Sequence, residues 1–283
     1  MPPVDNPITT KYLFDNAAER EARARMTALA AQHNDATFQY MEKCGIAPGW
    51  NCLEIGAGDG SVARWIAARV GPAGRVLATD IDPRFVLEEA SANPANMDVR
   101  VHDIVTDSLP EGGYDLIHAR LVLVWLPARL TVLDKLVKAL CPGGWLLIED
   151  YDTQLVPPEL AALDPTAEAK FAKMKDALLE LMSRRGLAHT YARELHHRLR
   201  ERGLMQVENH GAIAAFAGGS PGADLQQANY RQVHNAAIEA GLVTEAEFEE
   251  VMLLLSDPQF TAFTSTMFSA MGRKPKTART PSR

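Results

Sequence analysis

Cysteine is scarce: the 283 residues hold three, Cys44, Cys52 and Cys141, far apart and in no metal-ligand spacing. That excludes a disulfide framework and leaves no thiolate metal site, so reduced, buried thiols are expected. Long apolar runs are missing too. No stretch approaches the roughly 20 residues that span a bilayer, and the opening MPPVDNPITTKYLFDN lacks the basic start and apolar centre of a secretory leader. A soluble, cytoplasmic protein with no membrane partner is the expectation. Positive charge is sparse in the body of the chain. The net charge is −7, and the last stretch, RKPKTARTPSR, carries five Lys/Arg and no acid, which leaves −12 on residues 1–272. An acidic body argues against a nucleic-acid partner, and the Pro, Ser and Thr of the basic end (273–283) read as a disordered tail.

What is present is an alternation. Residues 1–44 form an N-terminal segment whose 11–44 stretch repeats apolar residues at helical spacing, stopped by Pro48 and Gly49. Strand-like WNCLEI, helix-like DGSVARWIAARV, a GPAG turn and strand-like RVLATDI follow. Asp82-Pro83 opens a short helix, MDVRVHDI and YDLIHARL read as two more strands, a helix runs over about 128–140, and a CPGG turn leads into WLLIEDY. Short connections between strands and helices predict an α/β fold, a doubly wound and mostly parallel sheet. Beyond this core (45–152) the chain becomes helical over 153–202. It then yields a strand, MQVENHGAI, a glycine-rich break, two helices and a final strand, FTAFTSTMFSAMGRK, within 203–272. The expected architecture is seven strands with an antiparallel last one, plus helical cap inserts over the ligand-binding edge.

Ligands of such sheets lie beyond the carboxyl ends of the strands, where the first strand passes into its helix. Here that passage is CLEIGAGDGS. Gly56 and Gly58 permit positive φ and let a ligand approach the main chain around Ala57, beside a helix N-terminus. The loop is not a diphosphate cradle of the form G-x-G-x-x-G, because its sixth position is Ser61, and no Gly-Lys-Ser/Thr follows for a P-loop. Glu54, two residues ahead of the first glycine, repels phosphate and suits a cation, or pairs inside the loop. Asp80 ends the second strand, where a carboxylate accepts ribose hydroxyls. Asp103 ends the third and suits an adenine amino group, while Ile81 and Ile104 offer apolar faces. Together they describe an adenosine carrying a cationic amino-acid end.

At these residues the chain resembles the Rossmann-like (class I) S-adenosylmethionine-dependent methyltransferases. LEIGAGDGS, VLATDIDP, VHDI, YDLIHARLVLVWL and LCPGGWLLIEDYD are similar to successive family motifs, and FSAMGRKP to the family's antiparallel last strand. The resemblance implies S-adenosyl-L-methionine as cofactor and S-adenosyl-L-homocysteine as product. It places Glu54, Gly56 and Gly58 at the methionine part, Asp80 at the ribose, Ile81 on the adenine face, and Asp103 with Ile104 at the adenine edge. Tyr12 and Arg25 are its candidates for an N-terminal residue reaching over the cofactor.

His118, after the fourth strand, is a candidate general base or a wall of the cofactor pocket. Asp150 and Tyr151, at the end of the fifth with Glu149, are candidates for touching the acceptor, and Asp152 reads as a helix cap. Arg120 either salt-bridges within the cap or meets an acidic substrate. The cluster His189, Tyr191, His196 and His197 reads as cap surface rather than a metal site, since adjacent histidines on a helix point about 100° apart. The function expected is methylation of a small-molecule acceptor at oxygen, nitrogen or carbon by in-line transfer. The alternatives are a cofactor-binding module without turnover and a nicotinamide-dependent dehydrogenase. The apolar helices suit either the core or a second copy in a homodimer.

Overall fold

The computed structural model describes residues 19–155 and 165–276. The chain opens with α1 (Glu19–Lys43), then β1 (Asn51–Ile55), α2 (Ser61–Val70), β2 (Arg75–Asp80), α3 (Arg84–Glu88), β3 (Met97–Val101), β4 (Tyr114–Arg120), α4 (Arg129–Ala139) and β5 (Leu140–Asp152). After it come α5 (Pro165–Arg184), α6 (Tyr191–Glu201), β6 (Met205–Ala212), β7 (Ala215–Ala217), α7 (Pro221–Glu239), α8 (Glu245–Leu254), β8 (Thr261–Phe263) and β9 (Thr266–Arg273). Seven strands form one sheet in the order β3-β2-β1-β4-β5-β9-β6, parallel except that β9 runs against both β5 and β6. β7 and β8 pair separately. The doubly wound sheet with an antiparallel last strand is as expected.

Alternation along the strands sends two apolar sets to opposite faces. Cys52, Leu116, Leu147 and Met271 pack with Val62, Ile66 and Val70 of α2 on one face. Leu53, Ile55, Ile117 and Ile148 pack with Leu133 and Leu136 of α4 and with Tyr191, Leu195 and Leu199 of α6 on the other. The 153–202 stretch is therefore not one cap: α6 shields the sheet, while α5 joins α7, α8 and the β7-β8 pair around a separate core that includes Phe171, Tyr230 and Phe248. α1 spans the carboxyl edge. It meets α7 through Ala28, Leu29 and Leu225, and Phe38 stacks on Trp65 of α2 with centroids 4.4 Å apart.

Three boundaries differ from the sequence expectation. The CPGG segment lies inside β5, because Gly143, at φ 88°, and Gly144 let the chain pair first at Tyr114 and again at Leu116 across a register shift. β3 stops at Val101, since the next residues enter a turn in which the Asp107 N–H donates to the Asp103 carbonyl. The last strand is broken into β8 and β9, and Thr264 between them bonds Ala214 instead of a sheet partner. Of the helix expected over 11–44, residues 11–18 lie outside the described residues. No helix among the described residues is long and apolar enough to cross a membrane.

Candidate cofactor site

The loop after β1 takes positive φ at all three of its glycines: 70° at Gly56, 56° at Gly58 and 77° at Gly60, values that strain any residue bearing a Cβ. A Cβ on Gly56 would also lie 2.5 Å from Val122, which follows β4, and one on Gly58 would lie 3.3 Å from the Met26 sulfur of α1. The loop is thus pressed between β4's exit and α1. Its N–H groups are largely committed within the chain. Gly56 and Ala57 donate to the Thr79 carbonyl at 2.8 and 3.0 Å, Gly60 to the Ala57 carbonyl and Ser61 to Asp59 Oδ1.

Gly58 donates to Asp80 Oδ2 at 3.1 Å, and Asp82 to Asp80 Oδ1 at 3.0 Å. Asp80 therefore stands against the glycine loop, its pKa raised by burial despite these N–H donors. Ile81 beside it is 65% exposed and presents an open apolar surface. The third strand's end is different. Asp103 turns one oxygen, Oδ1, to the Val105 N–H, and the Ile104 side chain is buried with the α4-side core. Ile104 can therefore offer a ligand its main chain but not the apolar face expected of it.

Beneath the loop lies a polar row that crosses four adjacent strands. Glu54 of β1 is 2% exposed and His118 of β4 is 0% exposed. His118 Nδ1 donates to Glu54 Oε2 at 2.7 Å, and its Nε2 donates to Glu149 Oε2 of β5 at 3.0 Å. Ser269 of β9 donates to Glu149 Oε1 at 2.5 Å, and Thr37 of α1 donates to Glu149 Oε2 at 2.5 Å. Burial alone would push the His118 pKa down, but the two carboxylates raise it to about 9. Burial would likewise raise Glu149, and its bonds from His118, with Arg120 and Ser269 also contributing, bring it to about 2. An imidazolium with both N–H groups bonded has no lone pair and no exposed edge. His118 is therefore neither a general base nor a pocket wall, and Glu54 takes the internal-pairing role. Arg120 does not reach the cap: it donates to Thr37 Oγ1 at 2.9 Å and Asn34 Oδ1 at 3.0 Å on α1.

The end of β5 separates its candidates. Tyr151 lies on the α1 side and its hydroxyl donates to His33 Nε2 at 2.5 Å; burial, then the Arg120 charge, hold His33 at a pKa of about 4, so its ring is neutral. Asp150 points to the other face, is 0% exposed, and has no hydrogen-bond partner on either oxygen. Burial pushes its pKa well up, so a carboxyl closed off in this way is not presented to an acceptor. Asp152 accepts from the Gln154 and Leu155 N–H groups and pairs with Arg193. Arg25, 5% exposed, donates to Asn229 of α7 at 2.8 Å and so belongs to the α1–α7 contact. Tyr12 lies outside the described residues. His189 bonds Thr153 and Ser183, and His197 pairs with Glu201. His33, Asn34, Thr37 and Ser269 carried no sequence signal, since each gains its meaning from a partner 27 to 120 residues away.

Residues 53–146 match the family described as a methyltransferase domain. Among curated proteins, "Methyltransferase str2" of Strobilurus tenacellus is 42% identical over 103 residues, 35% of this chain and 35% of that protein. Trans-aconitate 2-methyltransferase of Methylobacterium radiotolerans is 35% identical over 122 residues, 41% of this chain and 46% of that protein. The chain thus matches between about a third and a half of the length of these relatives. Among solved structures, Haemonchus contortus phosphoethanolamine N-methyltransferase 2 in complex with S-adenosyl-L-methionine superposes with a TM-score of 0.60 at 15% identity, covering 95% of this chain and 60% of that one. Over residues 53–146 the chain is thus similar to a methyltransferase domain, and its fold is one that a solved methyltransferase shares.

Proposed function

We propose that the protein binds S-adenosyl-L-methionine on the glycine loop and transfers its methyl group to a small-molecule acceptor. The observation that carries this reading is the state of the loop. Its N–H groups at positions 56, 57, 58, 60 and 61 already donate to the chain's own oxygens, and the carboxylates of Asp59 and Asp80 stand around it. A diphosphate needs free N–H groups and no nearby acid, so a dinucleotide is disfavoured and a nucleoside with a cationic end fits. The residues that would hold it are Gly56 and Gly58 at the methionine part, Asp80 at the ribose hydroxyls, Ile81 on one adenine face and Asp103 at its edge.

A bound sulfonium supplies an electrophilic methyl group, and its displacement destroys positive charge, which a dry site and close alignment favour. The chain's part is to exclude water and orient the acceptor. α1 covers the loop through Met26, and the turn after β4 closes on Gly56. Relatives named for trans-aconitate and phosphoethanolamine support a small acceptor.

Calorimetric titration with S-adenosyl-L-homocysteine tests the cofactor. Micromolar binding, about −8 kcal/mol, is expected for the wild type, with a loss of at least about tenfold in Asp80→Ala. Absence of binding by the wild type, or equal affinity in the variant, would overturn the reading.

A further inference from the structure

The row Glu54, His118, Glu149 does more than fill the sheet's interior, because it is joined to both parts that must enclose a ligand. On one side Glu54 sits two residues before the glycine loop. On the other, Glu149 takes the Thr37 hydroxyl of α1, Thr37 takes Arg120, and Arg120 also holds Asn34. Asn34 then donates to Ser61 Oγ at 3.1 Å, and Ser61 donates to Asp59 Oδ1 in the loop at 2.7 Å. The hydrogen bonds thus run from β1 through β4 and β5 to α1 and return to the loop. Both carboxylates meet at one imidazole, so the path fails at that point if the ring is lost.

We propose that His118 is a positioning residue for the cofactor: bonded between Glu54 and Glu149, it fixes the Glu54 carboxylate beneath the glycine loop and couples it to the helix that covers the loop. This rests on the reading that the loop holds S-adenosyl-L-methionine. Without the ring, two carboxylates share a buried space with no hydrogen between them, and repulsion turns Glu54 and Glu149 away from their places. The charged form is needed, since a neutral ring can donate to only one of the two acids.

Among the described residues, Glu54 and Glu149 bond His118, Arg120 lies two residues on in the same strand, and α1 contributes His33 and Tyr40, which act on Glu149. His33 is held neutral, and burial raises the Tyr40 and Tyr151 hydroxyls above their ordinary range. Asp150 faces the opposite side of β5 and is also raised by burial. Subtraction of the His118→Gln profile removes what Asp150 and the ligand's own ammonium contribute.

The test is S-adenosyl-L-homocysteine affinity, by calorimetry, for the wild type, His118→Gln, Glu54→Gln and the double variant, at steps from pH 7 to 10. His118→Gln and Glu54→Gln are each expected to weaken binding by about tenfold at pH 7, and the double variant by no more than the weaker single, because both cut the same link. The wild-type advantage over His118→Gln should fade as pH rises through about 9. Additive losses, or parallel pH profiles with unchanged affinity, would reduce His118 to a structural residue and overturn the proposal. Should His118→Gln not fold, Thr37→Val decides: a several-fold faster ligand release supports the coupling, and an unchanged rate refutes it. A wild type that binds no ligand at any pH refutes the cofactor reading instead.

Discussion

Glu149 and Asp150 are neighbours in sequence, equally buried in β5, and shifted in opposite directions. Glu149 faces α1, where His118, Ser269 and Thr37 each donate to it, and its pKa falls to about 2. Asp150 faces the α4 and α6 side, where the core is apolar, and the nearby Val124 N–H falls short of a full hydrogen bond to its oxygens. Burial pushes its pKa well up, and the Val124 N–H offsets this only in part. The same chemical group is held below its ordinary range on one face of the sheet and pushed above it on the other. The difference lies in the donors that surround it, because desolvation acts on both alike.

The comparison can be broken most forcefully from the charged face. Glu149→Ala removes the shared acceptor of three donors and leaves the His118 cation with one partner; a loss of about 3–5 kcal/mol in urea unfolding at pH 7 is expected, as when one half of a buried ion pair is deleted. The sign of the pH effect follows from the shifts. Glu149 is lowered, so its contribution is full above pH 4.5 and is lost as pH falls towards 2. His118 is raised, so its contribution is full below pH 6.5 and is lost as pH rises through about 9. Glu149→Ala should therefore flatten stability at the acidic end, and equal pH profiles would count against the charge assignment.

On the apolar face, Leu195→Ala in α6 opens a cavity in a fully buried position. A loss of about 2–5 kcal/mol is expected, with the pH dependence unchanged from the wild type. A change in that dependence would show that the faces are not independent.

Asp150→Asn sharpens the comparison with the smallest effect. A buried acid whose pKa is raised holds a proton that the unfolded chain has released, so stability falls as pH rises above the unfolded value of 3.8. Removing that group should leave stability near pH 4 nearly unchanged and favour the variant increasingly at higher pH, by up to about 1.4 kcal/mol per pH unit. Denaturant midpoints at pH 4 and pH 8 measure it, and a variant that loses stability at both would sink the upward shift.

The doubly wound core was legible in the sequence because its signals are local. Apolar runs, the turn glycines and the Asp82-Pro83 start mark the strand and helix boundaries with short-range physics, and the same holds for Gly56, Gly58 and Asp80, whose spacing relative to strand ends is a property of one βαβ unit. His118 shows where that legibility stops. A histidine near a strand tip reads as a base or a pocket wall, and only its register beside Glu54, together with Glu149 one strand over, reveals a cation enclosed by two acids. Asp150 was misplaced for a related reason: β5's alternation assigns it to the face opposite Glu149, but which face carries donors depends on α1 and α6, which lie far away in the chain. Likewise α6 read as part of the cap because its amphipathic stripe says that it packs, not against what.

By itself, then, the sequence determined the order of strands and helices, the positive-φ loop and the acid at the end of the second strand, because each is set by residues within a few positions of one another. Tertiary structure decided the direction in which His118, Glu149 and Asp150 are shifted, the closure of α1 over the loop, and the division of the second half between sheet cover and cap. Charge states and packing partners depend on the distance between atoms that the chain brings together only on folding, and no local pattern of residues encodes that distance.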